Sequence, residues 1–297
     1  MKLGRLGAVA ALALVAATLA GCLDAATPSA VPSPTRAPDP TPTVTTYELG
    51  TTVWYEGLLL HFDRVIATLD DRGGPVEVML RIENPGAEAG ELDGRIRLSI
   101  GTIRADATRE SVVPTVPAEG TVSVVMTFEL QGVISADTAV IEVGDAPSHV
   151  ARVPLTPAAG PPALFEPVTI DLTGGATSAD LRIILTRGLL RWDLPDWSQE
   201  LGAGLQALTL TYDVSYVGSF AGGLAFTRDN VALRLPDGSI VSARRDGRSQ
   251  SAELIGSNKT KKNLFSRFEI PSGATGRFAL LVRNAGTEKA IPFTIGG

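Results

Sequence analysis

Histidine and cysteine, the side chains that most often bind transition metals, are rare in this chain. It contains one cysteine, Cys22, and two histidines, His61 and His149, which lie 88 positions apart. A structural zinc site usually takes four Cys or His ligands, so these residues predict no zinc site. The sequence also lacks a Gly-x-Ser-x-Gly elbow, a phosphate-binding loop and a dinucleotide fingerprint. We therefore expect no metal, no cofactor and no enzymatic activity.

Two pairs of carboxylates are further candidates for ligand chemistry. Asp70-Asp71 is followed by glycines, and this combination favours a hairpin turn over a calcium site. Asp193 and Asp196 share a short segment with Trp192 and Trp197. Indole rings beside carboxylates could cradle a sugar or a cationic ligand. The alternative is that both tryptophans cover the end of the fold as hydrophobic plugs.

Cys22 stands at the end of an apolar run, residues 6–20, that follows two basic residues. This run suits a secretory signal and is short for a membrane span. Leu19, Ala20 and Gly21 before the cysteine resemble the lipobox of bacterial lipoproteins. The resemblance implies that residues 1–21 are a signal peptide and that Cys22 carries a covalent lipid. The protein would then be anchored in the cell membrane, on its extracytoplasmic face.

Charge is distributed unevenly along the chain. Residues 47–156 carry 8 basic and 17 acidic side chains, whereas residues 164–297 carry 15 basic and 13 acidic ones. The whole chain has a formal net charge of −6, which argues against nucleic-acid binding. Seven basic residues cluster between positions 244 and 267: Arg244, Arg245, Arg248, Lys259, Lys261, Lys262 and Arg267.

This basic cluster has two interpretations. It could bind an anionic envelope polymer or an acidic partner protein, and the chain's own acidic half is one such partner. Alternatively, it forms solvated hairpin tips whose charges prevent sheets from pairing edge to edge.

The elements that must position these residues begin after a biased segment. Residues 25–46 contain six prolines, six threonines and two serines in 22 positions, and they show no apolar periodicity. We therefore predict that residues 22–46 form a disordered tether. From residue 47 onward, apolar and polar residues alternate in short runs broken by glycine, proline, asparagine and aspartate, which is typical of strands. The predicted strands include 58–62, 76–82, 92–103, 121–130, 139–143, 150–155 and 205–216.

The strand pattern occurs twice. Residues 157–163, rich in proline and alanine, interrupt it and predict a linker between domains 47–156 and 164–297. Three segments match between the halves at nearly constant offsets: 80–86 with 212–218, 127–130 with 267–270, and 152–155 with 290–293. We interpret this as two copies of one domain.

The Leu-Arg-Leu-Pro-Asp-Gly hairpin at 233–238 and the Phe-Glu-Ile-Pro strand at 268–271 resemble immunoglobulin-like domains of bacterial lipoproteins. This resemblance implies an all-β fold of two tandem immunoglobulin-like β-sandwiches. In the first half, the equivalent hairpin at 99–102 lacks the Pro-Asp-Gly turn. We expect a binding or presentation module at the cell envelope, with the membrane and an envelope protein or anionic polymer as partners. The alternative is a passive spacer or an accessory subunit of an envelope complex.

Overall fold

Extended strands make up most of the described chain. The structure is a computed structural model that describes residues 41–132, 135–245 and 252–296. The fold is all-β, with several antiparallel sheets, which confirms the predicted class. Within the described residues the helical segments are four 3-10 turns: Ala136–Thr138, Pro157–Ala159, Pro195–Trp197 and Arg228–Asn230. None of the helices in this part of the chain is long and apolar enough to cross a membrane.

The N-terminal half, residues 43–155, contains two four-stranded sheets. Its strands are β1 (Thr43–Tyr55), β2 (Leu58–Leu69), β3 (Gly73–Glu83), β4 (Ile96–Ile100), β5 (Ile103–Asp106), β6 (Thr121–Gln131), β7 (Ala139–Val143) and β8 (Ala151–Pro154). One sheet has the order β1-β2-β3-β6 and the other β5-β4-β7-β8.

The C-terminal half, residues 168–295, has two four-stranded sheets of its own, equivalent to those of the N-terminal half, and two additional two-stranded sheets. Its strands are β9 (Val168–Ser178), β10 (Leu181–Arg191), β11 (Asp193–Leu194), β12 (Gln199–Glu200), β13 (Leu205–Tyr216), β14 (Leu224–Phe226), β15 (Val231–Arg234), β16 (Ile240–Ser242), β17 (Glu253–Ile255), β18 (Lys259–Pro271), β19 (Gly276–Asn284) and β20 (Thr287–Ile295). The sheet orders are β9-β10-β13-β18 and β16-β15-β19-β20, and β11-β12 and β14-β17 form two-stranded sheets.

Alternation of apolar and polar residues explains why these strands form and which face they bury. In β3, Val76, Val78, Leu80 and Ile82 are buried, and the intervening positions are partly or fully exposed. Successive side chains of a strand point to opposite faces, so every second residue enters the core. In each half, one buried apolar cluster contains side chains from both sheets. The two sheets of a half therefore share one core.

The hydrogen-bond register also repeats between the halves. Phe62 of β2 pairs with Leu80 of β3, and Leu185 of β10 pairs with Tyr212 of β13. In both places the register shifts by one residue immediately afterwards, which marks a β-bulge. Strand order, pairing partner and bulge position therefore recur in the two halves.

The first strand begins earlier than the composition predicted. Thr43 pairs with Leu69, and the pairing continues through the next residues of β1. Residues 43–46 lie in the segment predicted to be a tether, but β2 is long enough to pair with them. The linker predicted at 157–163 is also held, because Ala163 exchanges two backbone hydrogen bonds of 3.0 Å with Arg152.

Candidate functional site

The two halves meet at a contact that we call the joint, formed by residues 54–58 and 191–201. In the β1–β2 turn, Glu56 and Gly57 have φ values of 51° and 85°. Positive φ at both central residues is the geometry of a two-residue hairpin turn. A Cβ atom at Gly57 would lie 2.6 Å from Cα of Pro195. Glycine at this position therefore allows the halves to approach this closely.

Side chains of the C-terminal half hold the backbone of this turn. The Gly57 N–H donates to Oδ2 of Asp193 at 2.5 Å, and the Glu56 N–H donates to Oε2 of Glu200 at 3.3 Å. Arg191 donates to the two oxygens of Asp193 from Nε and Nη2, at 2.6 and 2.9 Å. This bidentate, charge-assisted pair fixes the position of Asp193. The joint thus buries three carboxyl groups beside one arginine.

Burial controls the protonation of two of these groups. The Glu200 side chain is 2% exposed. Burial first, and the charge of Asp193 second, raise the pKa of Glu200 to about 9. Burial also raises the pKa of Glu56, although its Oε2 accepts N–H groups from Asp93 and Gly94 at 2.8 and 3.3 Å, which lower it. Glu200 is therefore a protonated, neutral carboxyl at neutral pH.

His149 packs against the same carboxyl. Its Nδ1 lies 3.1 Å from the carbonyl oxygen of Leu201 and donates to it, because a carbonyl only accepts. Burial lowers the pKa of His149, so its ring is neutral at neutral pH. Oε1 of Glu200 lies 3.5 Å from Nδ1, but two neutral groups form no ion pair. Within the described residues, His149 Nε2 and Glu200 Oε1 are buried and make no hydrogen bond.

Aromatic rings complete the joint. Phe165 packs edge-on against His149, with ring centroids 5.2 Å apart, and lies 5.7 Å from the Trp192 ring. The guanidinium of Arg191 lies over the ring of Trp54, 5.5 Å from its centroid. This distance is within the range of a cation–π contact. The joint is therefore fixed by backbone, charged and aromatic contacts together.

A cleft of about 380 Å³ opens beside the joint. One wall is the loop 84–90, and the opposite wall contains Arg191, Pro195, Asp196 and Ser198. The β1–β2 turn lies between these walls and adds four lining residues: Trp54, Glu56, Gly57 and Leu58. This volume falls within the usual range of small-ligand pockets.

Asn84 holds the loop that forms the first wall. Its Nδ2 donates to the carbonyls of Glu88, Val116 and Pro117 at 2.7, 3.2 and 3.2 Å, and its Oδ1 accepts the Gly86 N–H at 2.9 Å. Asn84 is itself buried. The wall is thus anchored to the N-terminal half independently of the joint.

The structure separates the two tryptophans that the sequence placed in one candidate loop. Trp192 is partly buried against Phe165, and its Nε1 donates to the hydroxyl of Ser272 at 3.2 Å. Trp197 is 53% exposed. Neither of them lines the cleft, whereas Trp54, which the sequence reasoning did not single out, does.

Arg267 does not belong to an exposed basic patch as predicted. It is 7% exposed and pairs with Asp196, its Nη2 lying 3.1 Å from Oδ2. Arg244 is paired with Glu269. Both arginines therefore form intramolecular ion pairs. Arg267 does so because the loop before β13 brings Asp196 within reach, and Arg244 because its partner Glu269 lies on β18.

The remaining basic residues lie elsewhere. Lys259, Lys261 and Lys262 are exposed at the start of β18, and Lys261 lies 3.4 Å from Glu253. Lys261 and Arg267 lie six positions apart on this strand, roughly 20 Å. Arg245 is exposed. The described members of the predicted cluster therefore do not form one continuous surface.

Several predictions fall on residues outside the described ranges. These residues are Leu19, Ala20, Gly21, Cys22 and Arg248. Among the described residues, no group of three or more His, Cys, Asp or Glu side chains is arranged to hold a metal ion.

Sequence reasoning missed Glu56, His149 and Glu200 as members of one site. The only local signal was Glu56-Gly57 between two apolar runs, which is a turn signal. The partners lie about 90 and 140 positions away, so no local pattern could join them.

Comparison with known proteins identifies no family. No protein-family model and no curated protein matches the chain. Among solved structures, it is similar to a conserved domain protein from Bacillus anthracis, with 10% sequence identity and a TM-score of 0.25. That match covers 84% of this chain and 90% of the other.

Proposed function

We propose that this protein is a lipid-anchored extracytoplasmic lipoprotein whose two tandem immunoglobulin-like β-sandwiches act as a binding or presentation module at the cell envelope. The observation that carries the proposal is the order of features at the start of the chain. The chain begins with two basic residues, which are followed by an apolar run that ends in Leu19-Ala20-Gly21 and then by the only cysteine. Several acyl chains on Cys22 would give stable anchoring, since a single chain binds a membrane only marginally.

Repetition of the fold supports the tandem domains. Both halves have two four-stranded sheets with equivalent strand order, and a bulge recurs at the equivalent place. Each half also has its own apolar core. These observations favour duplication of one sandwich domain, with the β11–β12 and β14–β17 strands as additions in the second copy.

The joint supports a presentation role. It combines hydrogen bonds from the Asp193 and Glu200 carboxyl groups to the β1–β2 turn with the close approach of Pro195 to Gly57. Such a joint makes the two domains behave as one arm. The cleft beside the joint is a concave surface lined by residues of both halves, including polar groups, and we place ligand binding there.

A passive spacer or accessory subunit is the second candidate. The contacts of the basic residues favour the spacer role, because Arg244, Lys261 and Arg267 pair with carboxylates of the same chain. A surface whose charges are compensated internally has less to offer an external anion.

Labelling with radioactive palmitate and membrane fractionation test the anchor. The wild-type chain should incorporate label and sediment with membranes, whereas Cys22→Ala should do neither. Capture from detergent extracts with wild-type, Glu56→Gln and Lys259/Lys261/Lys262→Glu chains then separates the two roles. A partner lost by either variant supports binding, and a partner retained by both supports the spacer.

A further inference from the structure

The cleft beside the joint contains polar atoms without partners. Glu56 is 7% exposed, lines the cleft, and uses Oε2 for the N–H groups of Asp93 and Gly94. Its other oxygen, Oε1, makes no hydrogen bond within the described residues. The Ser198 hydroxyl, on the opposite wall, makes none with them either. Because Oε1 is not among the buried atoms that lack a partner, it is accessible from the cleft and can accept a hydrogen bond from a ligand.

Charge defines the kind of donor that this cleft favours. Its charged lining residues are Glu56, Glu88, Asp196 and Arg191. The charge of Arg191 is taken up by the bidentate pair with Asp193. Asp196 is likewise paired, with Arg267. The Glu56 carboxyl would hold a positively charged donor more strongly than a neutral one, because such a hydrogen bond is charge-assisted.

The apolar part of the lining defines what the charge is attached to. Trp54, Leu58, Pro85 and Pro195 supply ring and aliphatic surface to the same cleft. A short hydrocarbon stem could pack on these residues while its terminal ammonium group reaches Glu56. The Trp54 ring already accepts one cation, since Arg191 lies over it at 5.5 Å.

We propose that the cleft binds a primary ammonium group on a short aliphatic stem, such as a lysine side chain, with Glu56 as its acceptor. The ammonium donates to Oε1 of Glu56, and the stem packs against Trp54 and the two prolines. This inference rests on the proposed binding role and names its ligand class. Binding shifts Glu56 toward its ionised form, so the cleft should bind the ammonium more tightly at pH 8 than at pH 5.

Nuclear magnetic resonance of the three tryptophan indole groups can test this inference on the purified full chain in detergent. The probes are Nα-acetyl-lysine N-methylamide and its Nε-acetylated derivative, which has the same stem without the charge. The free amine should shift the Trp54 signal, leave Trp197 unshifted, and bind about tenfold more tightly than the acetylated probe. Equal binding of both probes, or no shift with either, would overturn the proposal.

Two variants locate the interaction. Glu56→Gln keeps an oxygen that can accept the Asp93 and Gly94 N–H groups and should weaken amine binding about tenfold. Glu77→Gln is the matched control, because Glu77 is exposed on β3 and lies outside the cleft. Undiminished binding by a folded Glu56→Gln chain contradicts the proposal, as does an equal loss in both variants. If Glu56→Gln does not fold, the pair of probes on the wild-type chain still decides.

Cellobiose, a neutral disaccharide, is a third probe for the same experiment. If it shifts Trp54 and the amine does not, the ligand class proposed here is wrong while the binding role stands. Failure of palmitate labelling would instead remove the anchor without affecting this experiment.

Discussion

Replacing Glu200 by glutamine should make the protein more stable at pH 8 than the wild type. The Glu200 carboxyl is buried at the joint and its pKa is raised from 4.5 to about 9. The folded state therefore keeps a proton that the unfolded state releases between these values. Stability is fully present below the unfolded pKa and is lost as the pH rises toward the folded pKa.

The size of this effect follows from proton linkage. One proton held only by the folded state changes the unfolding free energy by about 1.4 kcal/mol per pH unit. Between pH 6 and pH 8 the wild type should lose about 3 kcal/mol from this one group. Glutamine carries no titrating proton, so Glu200→Gln should lack this loss. Contributions from His149 and other groups are common to both chains and cancel in the difference.

Urea unfolding followed by tryptophan fluorescence at pH 6, 7 and 8 measures this difference. Glu77→Gln, which removes an exposed carboxylate, should run parallel to the wild type. Infrared spectroscopy at pH 7 should also show a protonated carboxyl band that Glu200→Gln lacks. Parallel pH profiles for wild type and Glu200→Gln, or absence of that band, would refute the reasoning about the joint.

Three further changes test other contacts. Gly57→Ala should lower the unfolding free energy by more than Gly204→Ala, because both positions have positive φ but only Gly57→Ala places a Cβ within 2.6 Å of Pro195. Urea unfolding of both variants measures the difference, and equal losses would contradict the prediction. His149→Asn should reduce the loss of stability below pH 6.5, because the folded state binds a proton at His149 less readily than the unfolded state. The unfolding free energy measured as a function of pH checks this, and an unchanged decrease below pH 6.5 would contradict it. Changing Lys259, Lys261 and Lys262 to Glu reverses three exposed charges and should abolish any salt-sensitive binding of an anionic envelope polymer. Co-sedimentation measures this binding, and unchanged binding would exclude that surface as the binding site.

Much of the fold could be predicted because strands leave a period-two pattern. The predicted strand 205–216 coincides with β13, and 121–130 is β6 without its last residue. The offsets between the halves also place Val76 and Phe128, a pair in β3–β6, on Leu208 and Phe268, a pair in β13–β18. Alternation is a pattern among neighbouring residues, and the offset is a match between two stretches of the same sequence, so neither requires knowledge of the contacts.

One predicted strand is shorter in the structure for a reason that lies elsewhere in the chain. The segment 92–103 was predicted as extended, but β4 begins at Ile96. The N–H groups of Asp93 and Gly94 donate to Glu56 instead of to a neighbouring strand. A long-range contact thus sets the boundary.

The joint escaped prediction because it runs against the usual rule for polar residues. Charged side chains are mostly exposed, so Glu56 and Glu200 had no pattern that marked them as buried. Arg267 was assigned to an exposed basic cluster, yet its strand position turns it toward Asp196. Which face of β18 would meet an inserted loop depends on that loop's path, and local periodicity does not contain this information.

Mass spectrometry of the N-terminal peptide from membrane-extracted protein tests the central claim most directly. We predict a mature chain that begins at Cys22 and carries a lipid on its sulfur. A peptide that retains residues 1–21, or one in which Cys22 is an unmodified thiol, would contradict it.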